Sequence, residues 1–244
     1  MAELKQNMTT QLLFRDDWYA QSTPATVLAI TERGGIVLDR TVFYPTGGGQ
    51  PGDNGTLTQQ DGSQLTLATA VWDDPAKTLV AHMSAEGSSM PAVGETVTVQ
   101  LDWLGRYLRM RMHTCLHVLS VALPYPVTGG SISTGEGRLD FDIPEHVEKE
   151  AVNEKLQALL LQNTTVTDRW ITDAELDANP NLVKTMSVQP PRGSGRIRLV
   201  EIAGLDLQPC GGTHVRQTSE IGKVEVYQVE KKGKLNRRVR VRFV

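Results

Sequence analysis

The stretch YLRMRMHTCLHVLSVAL, from Tyr107 to Leu123, separates two regions of different pattern. It contains neither glycine nor proline, and it is long and apolar enough to form a buried helix. Pro124 and Pro126 follow it, and they end the helix because proline lacks a backbone N–H and clashes with the preceding turn. No comparable stretch precedes Trp103, so we expect a strand-rich region before this helix and a mixed region after it.

The region before the helix consists of short apolar stretches separated by turn residues. Residues 32–35 (ERGG) and residues 61–62 (DG) each join two such stretches, as is typical of hairpins. Residues 95–103 (ETVTVQLDW) alternate apolar and polar side chains, which indicates a half-buried strand. The sequence therefore predicts a small β-barrel.

The region after the helix mixes strand and helix signals. Residues 138–143, 164–172 and 196–204 are typical of strands, and Pro144 is predicted to open a helix that runs over 145–163. Residues 223–244 predict a hairpin that turns near Gly233. The predicted fold class is therefore α+β. A β-barrel-like domain over residues 1–104, carrying a glycine-rich loop, precedes an α+β domain over residues 105–244.

Composition excludes several classes of protein. With 39% hydrophobic and 22% charged residues, the chain resembles an ordinary globular protein rather than a disordered one. No apolar run approaches the roughly 18 residues of a membrane helix, and the first thirty residues do not resemble a secretory signal. Two cysteines cannot build a disulfide framework. We therefore expect a cytosolic protein without a membrane partner, and nothing points to an obligate protein partner.

The charge is unevenly distributed along the chain. The net charge is −3, yet residues 192–244 contain twelve Lys and Arg against five Asp and Glu. A basic end on an acidic body can steer an anionic partner such as a nucleic acid to one face. A solvated pair of strands rich in Lys and Arg would have the same composition, so this alternative stays open.

Two pairs of residues have the spacing of metal ligands. His113 and His117 lie four apart in the predicted helix and project from one face, while Cys210 and His214 have the same spacing in the loop sequence PCGGTH. Zinc takes imidazole nitrogens and thiolate sulfur in a tetrahedron. Either pair alone could consist of ordinary core or surface residues, but together they predict one zinc ion per chain.

Three other residues with ligand chemistry are assigned structural positions. Cys115 lies between the two helical histidines on a different face, so we expect a small buried hydrophobic side chain. His82 and His146 are expected at the surface.

A glycine-rich loop, FYPTGGGQPGDNG, spans Phe43–Gly55. Three consecutive glycines are unsuited to a strand interior, and they allow positive φ angles or a close approach of backbone N–H groups to an acceptor. A long hairpin turn is the alternative. Gln50 and Asp53 would either orient a substrate or cap the turn.

The motifs in this order resemble the alanyl-tRNA editing family, which comprises free-standing AlaX-type proteins and the editing domain of alanyl-tRNA synthetase. The resemblance covers most of residues 23–244, and it depends on FYPTGGGQPGD (43–53), HTCLH (113–117), RLDFD (138–142), CGGTHV (210–215), EIGKVEV (220–226) and KKGKLNRRVRV (231–241). Threonyl-tRNA synthetase editing domains share the spacing of the two metal pairs but usually lack the glycine loop. The chain is most similar to the medium-length, stand-alone type.

This resemblance implies hydrolysis of Ser-tRNA(Ala), and also of Gly-tRNA(Ala), with Ala-tRNA(Ala) spared. Zinc at the four predicted ligands could lower the pKa of bound water to about 7 or polarise the ester carbonyl. Four protein ligands, however, form a closed tetrahedron, which usually indicates a structural metal. A fifth coordination position, displacement of a ligand, and a metal that only anchors the substrate therefore stay open.

The resemblance also suggests substrate contacts. Serine selection needs a partner for its hydroxyl, and Thr128 is the first candidate and Thr46 the second. Either threonine could instead bond its own backbone in a turn. Many editing domains have Thr where this chain has Leu116, so the family's hydroxyl contact does not transfer directly. The remaining substrate-binding candidates are the loop residues Gly47, Gly48, Gly49, Gln50 and Asp53.

The basic tail is the predicted tRNA contact, with an exposed cationic hairpin face as the alternative. Its candidate residues are Lys231, Lys232, Lys234, Arg237, Arg238 and Arg240. Two other functions fit the same motifs. One is editing of Ser-tRNA(Thr), and the other is a non-catalytic tRNA-binding module in which zinc is structural.

Overall fold

A computed structural model describes residues 8–85, 89–186 and 195–244. The chain forms two compact units. The first runs up to Gly47 and again from Pro51 to Tyr107, and the second consists of Gly48–Gln50 together with Leu108–Val244. The middle of the glycine-rich loop therefore belongs to the second unit, although its flanking residues belong to the first.

The first unit contains a closed β-barrel, as predicted. Six of its strands pair in the order β2-β3-β7-β6-β5-β8, and the short strands β1 and β4 form a separate parallel pair. In chain order the strands are β1 (Gln11–Leu12), β2 (Ser22–Ile30), β3 (Gly35–Leu38), β4 (Arg40–Thr41), β5 (Gly55–Thr58), β6 (Gln64–Trp72), β7 (Val80–Ser84) and β8 (Thr96–Leu101).

Alternation along the strands fills the barrel. On β8, Val97, Val99 and Leu101 are buried whereas the threonines and glutamine between them are exposed. The core also receives large side chains such as Phe43 and Leu57, both fully buried. Burial of such side chains stabilises a barrel by roughly 1.5–3 kcal/mol each relative to exposure. The predicted turns at residues 32–35 and 61–62 lie between β2 and β3 and between β5 and β6.

His82 departs from its predicted surface position. It lies on β7 inside the barrel, and its exposed fraction is 0%. Both ring nitrogens have partners: Nε2 lies 2.7 Å from the Thr41 hydroxyl and Nδ1 lies 3.0 Å from the Ile36 carbonyl oxygen. A polar ring can be buried there because these partners satisfy it. His146, by contrast, is exposed as expected.

The second unit is a mixture of helices and antiparallel sheets. One sheet has the order β14-β15-β10-β9, and the other has the order β11-β12-β13. The elements are α1 (Trp103–Ala122, which begins in the first unit), β9 (Val127–Ile132), β10 (Glu136–Asp142), α2 (Lys149–Leu160), β11 (Val166–Ile171), α3 (Asp173–Asp177), β12 (Ile197–Ile202), β13 (Asp206–Pro209), β14 (Val224–Lys231) and β15 (Asn236–Phe243).

Helix α2 begins later than predicted, at Lys149 rather than directly after Pro144. The cause is Arg237, whose guanidinium donates from Nη2 to the Pro144 carbonyl at 2.9 Å and from Nε to the Glu145 carbonyl at 3.0 Å. In a helix that started at Pro144, those carbonyls would accept from backbone N–H groups four residues later. Arg237 takes their place, and the segment stays outside the helix. Within the described ranges, no helix is long and apolar enough to cross a membrane.

Candidate metal centre

The two predicted ligand pairs meet in the second unit. Helix α1 presents His113 and His117 one turn apart, and the loop after β13 presents Cys210 and His214. One ligand atom from each of the four residues lies within 4.8 Å of the others. The Cys210 Sγ atom lies 3.5 Å from Nε2 of His113 and 3.3 Å from Nε2 of His214. All three histidines are buried.

The loop that carries Cys210 is shaped by a glycine and an arginine. A Cβ atom on Gly212 would lie 2.2 Å from Cε1 of the His113 ring, so only glycine fits there. A Cβ atom on Gly211 would meet nothing within 4 Å. Buried Arg198 donates from Nη1 to the carbonyls of Cys210 (3.3 Å) and Gly212 (2.8 Å), which fixes the loop backbone.

The His113 ring is oriented by Gln50 of the glycine-rich loop. Its Nδ1 lies 3.0 Å from the Gln50 amide oxygen, which also accepts from the Thr213 backbone N–H at 3.2 Å. That backbone N–H can only donate, so it fixes the amide orientation, and the Gln50 Nε2 donates to the Thr213 hydroxyl at 2.9 Å. Because an amide oxygen is only an acceptor, Nδ1 of His113 carries the proton and Nε2 keeps its lone pair.

The His214 ring is oriented by Thr114 of helix α1. The Thr114 hydroxyl donates to the Met110 carbonyl at 3.0 Å and accepts from the Val215 N–H at 3.2 Å. Its single proton is thereby used, so the His214 Nδ1, 3.1 Å from the same oxygen, must be the donor. The lone pair again stays on Nε2, the nitrogen that faces the Cys210 sulfur.

The His117 ring is oriented by a carboxylate. Its Nδ1 lies 3.0 Å from Oδ2 of buried Asp206, to which Gln208 also donates at 2.7 Å. Lys184 binds the other oxygen of Asp206. A carboxylate behind a ligating imidazole fixes its tautomer and raises its basicity, an arrangement common in zinc sites.

These contacts give the four residues the donor chemistry of a zinc site. Each of the three imidazoles has its Nδ1 on a protein acceptor, which leaves Nε2 to a metal ion. Burial alone would raise the pKa of the Cys210 thiol, but the His113 and His214 rings hold it well below its usual value. Burial raises the pKa of Cys115 to about 12, so that thiol stays protonated. Imidazole nitrogens and a thiolate are ligands that zinc accepts.

The protonation of His117 reflects its carboxylate and thiolate neighbours. Burial alone would lower its pKa, but hydrogen bonds to Asp206 and Cys210 raise it to about 9. The pKa of Asp206 is lowered to about 2: burial opposes this shift, and His117 and Lys184 produce it. The carboxylate of Asp206 is therefore ionised while it accepts the hydrogen bond from Nδ1 of His117.

The glycine-rich loop has the positive φ angles expected of its glycines, and its backbone closely approaches strand β9. Gly48 and Gly49 adopt positive φ angles of 57° and 83°. A Cβ atom on Gly49 would lie 2.7 Å from the Gly130 carbonyl oxygen, and the Gly49 carbonyl accepts from the Ile132 N–H at 2.9 Å. The loop backbone therefore lies against strand β9, which explains how Gln50 reaches His113.

The other predicted loop contacts hold the loop itself, within the first unit. The Thr46 hydroxyl accepts from the Gly52 N–H at 2.9 Å, and the Gly47 carbonyl accepts from the Tyr44 hydroxyl at 2.8 Å. Asp53 is fully buried and ion-paired with Arg106. Thr46 thus follows the alternative of a turn residue, and a substrate contact of these residues stays a prediction.

Thr128 lies in the second unit, near the start of β9. Its hydroxyl accepts from Nδ2 of Asn236 at 2.9 Å, so the side chain is held between β9 and the first residue of β15. Its role in serine recognition stays a prediction.

The basic tail forms the predicted hairpin of β14 and β15, but three of its six candidate cations are ion-paired within the chain. Arg238 binds Asp140 through two hydrogen bonds of 2.7 and 2.9 Å. Arg240 and Lys232 both bind Glu230, at 2.6 and 2.7 Å. The positive surplus counted from sequence is therefore partly neutralised by carboxylates on neighbouring strands.

Sequence reasoning missed the residues behind the metal ligands, namely Thr114, Lys184, Asp206 and Gln208. Two signals were present. Thr114 lies inside the HTCLH motif, and Asp206 and Gln208 alternate on the strand that leads into the Cys210 loop. Side chains two apart on a strand share one face, which here is the face towards His117.

Comparisons with known proteins agree with the motifs. The family described as "Threonyl and Alanyl tRNA synthetase second additional domain" matches residues 197–240, and the family "tRNA synthetases class II (A)" matches residues 7–104. The chain is 32% identical over 238 residues to the alanyl-tRNA editing protein AlaX-M of Methanosarcina mazei, covering 94% of this chain and 95% of that protein. The AlaX-M protein of Saccharolobus solfataricus is also 32% identical, over 236 residues, with 94% and 97% covered. The alanine–tRNA ligase of Korarchaeum cryptofilum is 34% identical over 243 residues, which are 95% of this chain but 26% of the ligase.

Proposed function

The chain belongs to the alanyl-tRNA editing family of AlaX-M type, and from that premise we propose that it is a trans-editing aminoacyl-tRNA hydrolase. Its substrates are Ser-tRNA(Ala) and Gly-tRNA(Ala), from which it removes the wrong amino acid while sparing Ala-tRNA(Ala). The reaction is hydrolysis of the ester between the amino acid and a ribose hydroxyl. The proposed site is the zinc centre of His113, His117, Cys210 and His214.

One observation supports this proposal above the others. Each of the three rings donates a hydrogen bond from Nδ1 to another side chain: His113 to Gln50, His214 to Thr114, and His117 to Asp206. All three rings therefore direct Nε2 away from these partners. Histidines buried for packing alone would have no reason to share one tautomer around one sulfur atom. A zinc ion held at these four residues would supply a Lewis acid for the ester carbonyl.

The chain's own residues would prepare the site for an ester. Buried Gln50 connects the ligand His113 to the glycine-rich loop, because its amide contacts both His113 and Thr213. A substrate contact with the loop backbone at Gly48 and Gly49 would therefore be set at a fixed position relative to the ligands. Exclusion of water from this region would strengthen hydrogen bonds to the developing oxyanion.

Selection of serine over alanine requires a hydroxyl partner. A site whose polar groups pair with the serine hydroxyl leaves them unpaired when alanine enters, and such discrimination can reach about 10⁴-fold. Thr128 remains our first candidate and Thr46 the second; each hydroxyl already accepts one hydrogen bond, from Nδ2 of Asn236 and from the Gly52 N–H respectively. Glycine has no hydroxyl either, so its release needs a separate basis, namely exclusion of the alanine methyl group.

The decisive experiment compares amino-acid release from differently charged tRNAs. Serine release from Ser-tRNA(Ala) and alanine release from Ala-tRNA(Ala) are measured on the same protein as prepared, after chelation, and after zinc is added back. We expect rapid serine release that needs zinc, and little alanine release. Circular dichroism of the chelated protein shows whether the fold survives without the metal.

Each other outcome supports a different function. Serine release from Ser-tRNA(Thr) but not from Ser-tRNA(Ala) would indicate threonine-type editing. Tight tRNA binding with stoichiometric zinc and no release of either amino acid would indicate a binding module with a structural metal. Hydrolysis that persists at full rate after complete removal of zinc would contradict the proposed role of the four ligands.

A further inference from the structure

A second site-like feature lies in the second unit, beside the terminal hairpin. A cavity of about 280 Å³ is lined by His146, Val147, Val229, Lys231 and Arg237. Three of these five side chains carry basic groups, and the described lining contains no carboxylate. Glu148 lies 3.0 Å from Nε2 of His146, and both side chains are exposed.

The strand register makes this cavity unusual within the hairpin. At two other positions of the hairpin the register places an acid opposite a base: Glu225 lies opposite Arg242, and Glu230 lies opposite Arg238. At the end of the hairpin, Lys231 lies directly opposite Arg237. Cross-strand partners point to the same face, and like charges in that position repel each other. The pair is therefore destabilising unless an anion lies between the two cations.

Arg237 adds a second reason for an anion. It is buried, and its guanidinium donates to four backbone carbonyls, at Pro144, Glu145, Gly233 and Asn236. These acceptors satisfy hydrogen bonds but bring no negative charge, and no described carboxylate pairs with Arg237. A guanidinium has five N–H donors, so one stays available on Nη2. A buried cation without a counter-charge favours an anion nearby.

We propose that this cavity, which we call the hairpin-end pocket, binds a phosphodiester group of RNA. Lys231 supplies a flexible point charge, Arg237 a rigid donor at the base of the pocket, and His146 a donor at its rim. The apolar Val147 and Val229 leave room for the ribose that follows a phosphate. The inference rests on the proposed function, because tRNA is the RNA in question. It assigns phosphate binding to Lys231 and Arg237 rather than to the ion-paired Lys232, Arg238 and Arg240.

The test measures binding of uncharged tRNA(Ala) over a series of salt concentrations. Lys231→Ala and Lys232→Ala remove the same charge from adjacent positions, but Lys232 is already paired with Glu230 at 2.7 Å. We expect Lys231→Ala to weaken binding several-fold and to lower the slope of log affinity against log salt by about 1. Lys232→Ala should leave both quantities close to those of the unsubstituted protein, and Lys231→Arg should restore binding.

Binding at the hairpin-end pocket is monitored directly by the NMR signals of the His146 imidazole. A short oligoribonucleotide should shift these signals in the unsubstituted protein but not in Lys231→Ala, whose fold is checked by thermal unfolding. Equal effects of the two alanine substitutions, or no effect of either, would overturn the pocket. Saturation by inorganic phosphate with no response to the oligonucleotide would also overturn the RNA assignment, since it would indicate a small-anion site.

This test is independent of catalysis. Uncharged tRNA carries no aminoacyl ester, so its binding does not depend on hydrolysis. If the protein bound uncharged tRNA through Lys231 but never released serine, the proposed function would be refuted and the pocket would be kept. If the protein released serine but Lys231→Ala had no effect on tRNA binding, the proposed function would be kept and the pocket would be refuted. Arg237 is not used as the primary variant, because it also holds the segment before α2 in place.

Discussion

Both units of the molecule bury histidine, but in different ways. In the barrel, both nitrogens of the His82 ring have protein partners, the Thr41 hydroxyl and the Ile36 carbonyl. In the second unit, each histidine of the metal centre has Nδ1 on an oxygen of the protein, and its ring lies with the other three ligand residues in one cluster. Burial alone therefore does not distinguish a structural histidine from a ligand. The identity of the second partner does, because Nε2 of His82 faces a hydroxyl whereas Nε2 of His113 and Nε2 of His214 face the Cys210 sulfur.

The same contrast separates the chain's two cysteines. Cys115 is fully buried on α1, and its pKa is raised to about 12. Cys210 lies among three imidazoles, and its pKa is lowered well below the usual value. One thiol is therefore a packing group and the other a thiolate. Four experiments test this distinction between packing and ligation.

The largest effect is expected from the two cysteine substitutions. Cys210→Ala should lose its zinc and lower serine release by more than about 100-fold, because even an outer partner of a ligand is worth 10- to 100-fold. Cys115→Ala should keep both zinc and activity and lose only about 1–2 kcal/mol of stability from a small buried void. Bound zinc is measured by elemental analysis, and stability by urea unfolding. Equal zinc content in the two variants would contradict the assignment of Cys210.

A smaller loss is expected from the adjacent glycines of the Cys210 loop. Gly212→Ala places a methyl group 2.2 Å from a His113 ring atom, so the ring or the loop must move. We expect zinc affinity to fall at least about tenfold, with about 1–3 kcal/mol of overpacking strain. Gly211→Ala, which meets nothing within 4 Å, is the matched control and should behave like the unsubstituted protein. If both variants bound zinc normally, the His113 ring could not lie against Gly212 in the metal-bound protein.

A third experiment removes the charge behind His117 but keeps the shape. Asp206→Asn retains an acceptor for Nδ1 yet loses the carboxylate that Lys184 and Gln208 also bind. Zinc affinity should fall by about 10- to 100-fold, measured by competition with a chelator. Asp61→Asn, in an exposed turn of the first unit, controls for the loss of one negative charge. An unchanged affinity would show that Asp206 only packs against His117.

The sequence predicted the pairs of the metal centre but not what holds them. Helical spacing places His113 and His117 on one face, and this is a local property of the helix. The partners Gln50 and Asp206 come from a loop 63 residues before His113 and a strand 89 residues after His117. Such contacts depend on how β9 and β13 meet α1, which no local pattern specifies. The glycines gave the best indirect signal, because Gly49 and Gly212 mark close approaches of the backbone to other groups.

The errors have the same origin. Residues 144–148 have the composition of a helix start, but Arg237, more than ninety positions later, binds their carbonyls instead. His82 follows Val80 and Ala81 in a strand that is buried at all three positions, and strand burial depends on barrel closure. Counting charges along the sequence likewise did not predict that acids lie opposite Arg238 and Arg242, because strand register decides which residues face each other. Local sequence thus predicted the elements, while distant partners decided their ends and their charges.

The smallest effect concerns the packing histidine and its response to pH. Burial lowers the pKa of His82 to about 4, against 6.5 for an unperturbed ring, although the Ile36 carbonyl partly opposes the shift. The unfolded chain therefore takes up a proton at a higher pH than the folded chain. The contribution of His82 to the free energy of unfolding is complete above pH 6.5 and is lost as the pH falls from 6.5 towards 4. At about pH 5.5 the loss is about 1.4 kcal/mol, since one pH unit below the unfolded pKa corresponds to a factor of about ten.

The comparison is made between the unsubstituted protein and His82→Gln, by urea unfolding at about pH 7.5 and about pH 5.5. The two proteins share every other titrating group, so the metal centre contributes equally to both and cancels in the difference. We expect the free energy of unfolding to fall by about 1.4 kcal/mol more in the unsubstituted protein than in the variant. Zinc content at the higher pH should be the same in both, because His82 has no nitrogen to offer. A variant that lost zinc would place His82 with the ligands and remove the distinction between the two kinds of buried histidine.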